Sequence, residues 1–123
     1  MILVFGGAYQ GKLDYVRENL VQGREWDCAG GAPDFSADVI CGVESFVMDC
    51  VDRGTEAADY FREHRDEWIG DKVLILTDAS QGVVPVERRL RDFREMNGRL
   101  MIYLAGEADK VVRVFCGIGK QVK

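Results

Sequence analysis

The chain opens on an unbroken apolar run, Ile2–Phe5, that passes directly into Gly6-Gly7-Ala8-Tyr9-Gln10-Gly11-Lys12. No other feature constrains the fold as much. A short run without polar alternation suits a strand buried on both faces. Glycines then turn the chain. From Lys12 to about Leu20, Leu13, Val16 and Leu20 recur on one helical face, and Gly23 is placed to end that helix.

The same grammar repeats along the chain. Glu25–Cys28 reads as a short strand and Ala29–Ser36 as a loop carrying Gly30, Gly31 and Pro33. Asp38–Cys41 reads as a strand and Val43–Val51 as a helix. Gly54-Thr55-Glu56 opens another helix to about Trp68, with Thr55 as its cap. Val73–Leu76 is the clearest strand, apolar throughout, and a loop with Gly82 and Pro85 follows. A long helix is expected from about Val86 to Ala105, with Val86, Leu90, Phe93, Asn97, Leu100, Met101 and Leu104 inward. Glu87/Arg91 and Glu95/Arg99 would pair along its outer face. Val111–Phe115 is the last strand. Apolar strands separated by helices imply a mostly parallel sheet covered on both faces.

Composition narrows the function. The chain has 123 residues, 47% hydrophobic and 30% charged, the profile of one globular domain. Its net charge of −5 argues against a general nucleic-acid binder. No basic leader and no run near the roughly 20 apolar residues of a membrane helix is present, so a cytoplasmic protein without membrane partners is expected. The cysteines, Cys28, Cys41, Cys50 and Cys116, show no CxxC spacing, and His64 is the only histidine. Buried reduced thiols are expected rather than zinc ligands. Cys41 and Cys50 lie nine apart, but nothing in the sequence activates either thiol.

The segment Gly6–Lys12 fits GxxxxGK in the required setting, after a strand and before a helix. Glycines let successive backbone N–H groups curl around phosphate oxygens. The helix N-terminus adds partial positive charge, and Lys12 would reach the terminal phosphates. Gly6, Gly7, Ala8, Tyr9, Gln10, Gly11, Lys12 and Leu13 are therefore the candidate nucleotide contacts, with ATP or GTP as ligand. The hydroxyl residue that should follow the lysine and ligate Mg²⁺ is Leu13 here. Weak Mg²⁺ dependence is expected, and no metal ligand is assigned.

Met1–Lys12 resembles the start of the bifunctional adenosylcobinamide kinase / adenosylcobinamide-phosphate guanylyltransferases, where a GGAxSGKS loop follows a short strand. Val73–Asp78 resembles the family strand ending in Thr-Asn-Glu, and Gly82-Val83-Val84-Pro85 its Gly-Ile-Val-Pro turn. Phe93-Arg94, Gly98-Arg99, Leu104-Ala105, Ala108-Asp109 and Gly117-Ile118-Gly119 follow in register. The resemblance implies a three-layer α/β domain of P-loop (RecA-like) type over residues 1–123, with a mostly parallel sheet of about four or five strands. It implies a nucleotide and a corrinoid as partners, and a homo-oligomer, a trimer in the family. Phosphoryl transfer to a corrinoid side-chain hydroxyl would use Lys12 and Asp78 as catalytic residues, Lys12 on the phosphates and Asp78 holding the metal through water.

The departures point elsewhere. Members of the family are longer, and the missing stretch holds their guanylyl-accepting histidine. Met101-Ile102 replaces an Asn-Gln pair, and Cys41 falls where an acid is expected. A non-catalytic paralogue acting as a binding or regulatory subunit is the alternative. Glu44 and Ser45 follow the middle strand and could reach the same crevice as Asp78, with a helix first turn as the simpler reading. His64 reads as a solvated helix residue among charges. Arg88, Arg89, Arg91, Arg94 and Arg99 read mainly as an ion-paired face.

Overall fold

The apolar runs become strands whose order determines where a ligand can sit. A computed structural model describes every residue except Ser80 and Gln81, which fall in the loop expected after Val73–Leu76. The elements are β1 (Ile2–Gly6), α1 (Lys12–Asn19), β2 (Glu25–Asp27), a 3₁₀ turn (Cys28–Gly30), β3 (Val39–Cys41) and α2 (Val43–Arg53). They continue with α3 (Ala57–Glu63), α4 (Arg65–Trp68), β4 (Val73–Thr77), α5 (Arg88–Glu107), β5 (Lys110–Phe115) and β6 (Ile118–Gln121). The strands form one sheet in the order β2-β3-β4-β1-β5-β6.

Strand β1 is central, as its sequence predicts. It runs parallel to β4, with Ile2 opposite Val73 and Gly6 opposite Thr77, and parallel to β5. The pleat sends Leu3, Ile40, Leu74, Leu76 and Val111 to one face, where α2, α3, α4 and α5 bury them. Val4, Val39, Val73, Ile75, Val112 and Val114 go to the other face, against Val16 of α1. This is a three-layer α/β arrangement. Each fully buried leucine or valine stabilises it by roughly 1.5–3 kcal/mol before cavity effects. Trp68 is fully buried under α3 and donates its indole N–H to the Phe61 carbonyl at 2.8 Å.

The connections after β1 and β4 leave for opposite faces, α1 on one and α5 on the other. Adjacent parallel strands whose connections diverge leave a crevice beyond their carboxyl ends.

Several elements differ from the sequence expectation. The sheet has six strands rather than four or five. The addition, β6, is antiparallel to β5, with Phe115 opposite Ile118. The helix expected over 56–68 is two helices that break at His64, and Glu56 rather than Thr55 occupies the cap position without a side-chain bond. Helix α5 begins at Arg88, so Val86 stays 92% exposed and Leu90 stands at the surface. Arg88 pairs along the helix with Asp92 at 3.8 Å, but Arg91 and Arg99 take partners other than the expected Glu87 and Glu95. Arg91 bonds the Val86 carbonyl, and Arg99 reaches Glu56 at 2.8 Å. Arg89 reaches Asp52 at 2.6 Å. Carboxylates on α2 and at the start of α3 offer close oxygens that the weak i,i+4 pairs of an exposed helix do not outcompete. Among the described residues, no helix is long and apolar enough to cross a membrane.

Candidate functional site

A cleft of about 480 Å³ opens beyond the carboxyl ends of β3 and β4 and the first turn of α1. One wall is the glycine segment and the start of α1, from Tyr9 to Asp14. The opposite wall is Gly42, Glu44 and Ser45 at the start of α2, with Cys41, Ile75 and Thr77 below and Asp27 and Ala29 at the side.

Each residue of the glycine segment has a local reason. Gly6 ends β1 so close to β5 that a Cβ would lie 2.3 Å from the Val114 carbonyl oxygen. Its glycine therefore serves strand packing. Tyr9 sits at φ 59 with its ring fully exposed, and Gly11 sits at φ 82. Left-handed residues within a short turn make successive N–H groups converge on one side, the arrangement that binds anions. Gly7 has room for a Cβ, the nearest contact being Gln10 Cγ at 3.7 Å. The segment is fastened from outside. The Cys116 N–H donates to Gln10 Oε1 at 2.7 Å, and the Gly117 N–H donates to the Gln10 carbonyl at 2.8 Å.

Lys12 is half-buried and folds back over the segment, its Nζ donating to the Gly7 carbonyl at 2.6 Å. Burial lowers its pKa, and the Glu44 carboxylate partly restores it. Leu13 packs with the α1-side core and presents no hydroxyl. Cys41 is buried, and desolvation pushes its thiol up to about 11, so it is a neutral wall at physiological pH. Asp78 lies beside the segment, its backbone N–H donating to the Gly6 carbonyl at 2.8 Å.

The fit to a phosphate chain and the fit to a metal differ. The turn and Lys12 suit an anion. A Mg²⁺ ion finds no ligand at Leu13 or Cys41, and no three His, Cys, Asp or Glu groups converge among the described residues.

A larger cavity, about 670 Å³, lies elsewhere, between α2, α3 and the 31–32 turn. Asp49, Glu56, Asp59 and Glu63 line it against one Arg53, so a phosphate would meet repulsion there. His64 lines neither space. Its ring packs on Tyr60 with centroids 4.3 Å apart, and its Nδ1 is bonded to Glu67. Glu44 and Ser45 do line the cleft after the middle strand. Asp27 carries no clear signal in the sequence, since it belongs to a three-residue strand, and nothing there shows the Glu44 partner 33 residues away.

No family model matches the chain. Over 51 residues, 42% of its length, it is 41% identical to the bifunctional adenosylcobalamin biosynthesis protein CobU of Salmonella typhimurium. It is 39% identical over 51 residues to the protein of that name from Escherichia coli. The matched stretch spans 28% of each relative's length. Over that stretch the chain is CobU-like.

Proposed function

We propose that the chain binds a nucleoside triphosphate, ATP or GTP, through the backbone of Gly7–Gly11 and the Lys12 ammonium. The bound nucleotide then serves phosphoryl transfer to a corrinoid side-chain hydroxyl in cobalamin biosynthesis. The observation that carries this reading is the glycine turn of left-handed geometry between a central parallel strand and a helix, with Lys12 aimed over it. CobU-like sequence supports the substrate class.

In the transfer, the substrate hydroxyl oxygen bonds to the γ-phosphorus as the bond to the β–γ bridging oxygen breaks. The hydroxyl proton passes to solvent, the nucleoside diphosphate leaves, and Asp78, next to the glycine segment, orients the phosphates or holds a metal through water. Lys12 releases the Gly7 carbonyl and neutralises charge on the phosphates, where positioning and electrostatics supply most of the rate. No step is assigned to a metal, because Leu13 offers it nothing.

A second reading has its own support. Leu13 and Cys41 both stand where metal-handling groups are expected, which favours a subunit that binds nucleotide without turning it over. Calorimetric titration with ATP and with GTP, with and without Mg²⁺, tests the first claim, and binding is expected in both conditions. Absence of heat with either nucleotide sinks the reading. Binding without nucleoside diphosphate release in the presence of adenosylcobinamide selects the second one.

A further inference from the structure

Glu44 lies in the first turn of α2 and is half-buried. Its Oε1 accepts the Thr77 N–H at 2.9 Å. That N–H needs a partner for a reason rooted in the sheet. Strand β3 pairs with β4 only at Val39–Val73 and Ile40–Leu74, so the last residues of β4 run past their neighbour. An unpaired strand edge at a partly buried position is costly. Glu44 takes the N–H, and Asn97 of α5 donates its Nδ2 to the Thr77 carbonyl at 2.9 Å. The carboxylate is thereby fixed at the cleft wall facing the glycine segment.

We propose that Glu44 is a positioning residue for Lys12, a carboxylate that α2 supplies to the cleft where the end of β3 has only the Cys41 thiol. The inference rests on the nucleotide-binding reading for its purpose, though Lys12 and Glu44 line the same cleft from opposite walls in the free protein. Lys12 is partly desolvated, and a partly desolvated ammonium without a counter-charge favours its neutral form. Glu44 opposes that, and it draws the ammonium across the cleft when a ligand displaces the Gly7 carbonyl. The other titratable groups lining the cleft are Tyr9 of the turn, Asp14 of α1, Asp27 of β2 and Cys41 of β3. Asp78 follows β4. Among these, Glu44 is the carboxylate that a backbone N–H of β4 holds on the wall opposite Lys12, and its charge favours the ammonium.

Glu44→Gln separates the two jobs of the side chain, since it keeps an oxygen for the Thr77 N–H and removes the charge. The test is an NMR titration of the Lys12 ε-methylene in the ligand-free chain, with its signal assigned through Lys12→Arg. The midpoint in Glu44→Gln is expected about one pH unit below wild type, and Glu44→Asp is expected to recover most of that shift. A Lys12 midpoint unchanged in Glu44→Gln overturns the proposal. ATP binding without Mg²⁺, followed from pH 7 to 10.5, gives the second readout. The alkaline loss of affinity should move down by the same amount in Glu44→Gln, while affinity near pH 7 holds or rises because a negative wall charge has gone. A purely structural glutamate would weaken binding at every pH and leave the midpoint in place. If wild type binds no triphosphate, the proposed function fails, and the ligand-free titration still decides the role of Glu44.

Discussion

Two strand-to-helix turns face each other across the cleft, and they are built alike but equipped differently. Helix α1 is capped by Gly11 at φ 82 and α2 by Gly42 at φ 64, neither with a side-chain cap. Both helices thus present unpaired N–H groups and the positive end of the dipole to the same space. Their turns differ in length. Five residues, Gly7–Gly11, separate β1 from α1, whereas Gly42 alone separates β3 from α2. The longer turn has backbone to spare and forms a rim that can hold an external anion. The shorter has none, and the anion near its helix is the chain's own Glu44. One turn has a backbone rim for a ligand; the other has none, and the carboxylate beside it is held by the Thr77 N–H of β4.

The largest expected effect separates the two glycines. In Gly42→Ala the new methyl would lie 2.3 Å from Asp27 Oδ1, on top of the strain of a left-handed φ. Asp27 would have to abandon the Ala29 N–H it accepts at 2.9 Å. Urea unfolding should show a loss of about 2–3 kcal/mol. In Gly11→Ala the nearest atom is Gly117 Cα at 3.4 Å, so only the backbone strain applies, about 1–2 kcal/mol. Equal losses would show that the two turns are equally rigid and would dissolve the comparison.

Next comes the ligand side. Lys12→Ala should weaken ATP binding by at least about 1.5 kcal/mol, more than tenfold, while urea unfolding changes little. The bond it loses in the free protein, to the Gly7 carbonyl, is local. Equal ATP affinity in the two proteins would remove the α1 turn from function.

The unequal legibility of these parts follows from where each signal lies. Strands β1, β3 and β4 announce themselves because a strand buried on both faces needs a continuous apolar run, and β5 is marked by its buried Val111, Val112 and Val114 around an exposed Arg113. The glycine turn is legible for a similar reason: its constraint is contained within seven neighbouring residues. Strand β6 is not, since Ile118-Gly119-Lys120-Gln121 is short and mostly polar. Its Gly119 is set by Tyr15 of α1, whose ring occupies the space of a Cβ. The break at His64 has no proline or glycine to mark it. Glu44 looks like any acid in a helix first turn, because its function is defined by an N–H on a strand distant in sequence.

A smaller effect concerns the metal. If the α1 turn works through backbone and lysine alone, adding a chelator should change ATP affinity by less than about threefold, below roughly 0.7 kcal/mol. Loss of binding on chelation would mean that Asp78, or Glu44 of the α2 wall, lends itself to a metal after all, and the α1 turn would no longer work through backbone and lysine alone.

The last expectation is for no effect. Incubated with radiolabelled GTP, the protein should acquire no acid-labile covalent label. Guanylyl transfer to a histidine needs the ring nitrogen within about 3–3.5 Å of the α-phosphorus in a reactive pose. The cleft walls on both sides are accounted for, and His64 is in neither. It sits at the junction of α3 and α4, its ring held between Phe35 and Tyr60 with centroids 5.8 and 4.3 Å away. Nδ1 is engaged by Glu67. Bringing the ring to the glycine turn would require leaving both aromatic contacts and unwinding the end of α3, which carries the buried Phe61. Another subunit offering its own His64 is the remaining route, and it would have to free the same ring from the same aromatic contacts. An acid-labile label that disappears in His64→Ala would establish that route and place a third element, the α3–α4 junction, beside the two turns.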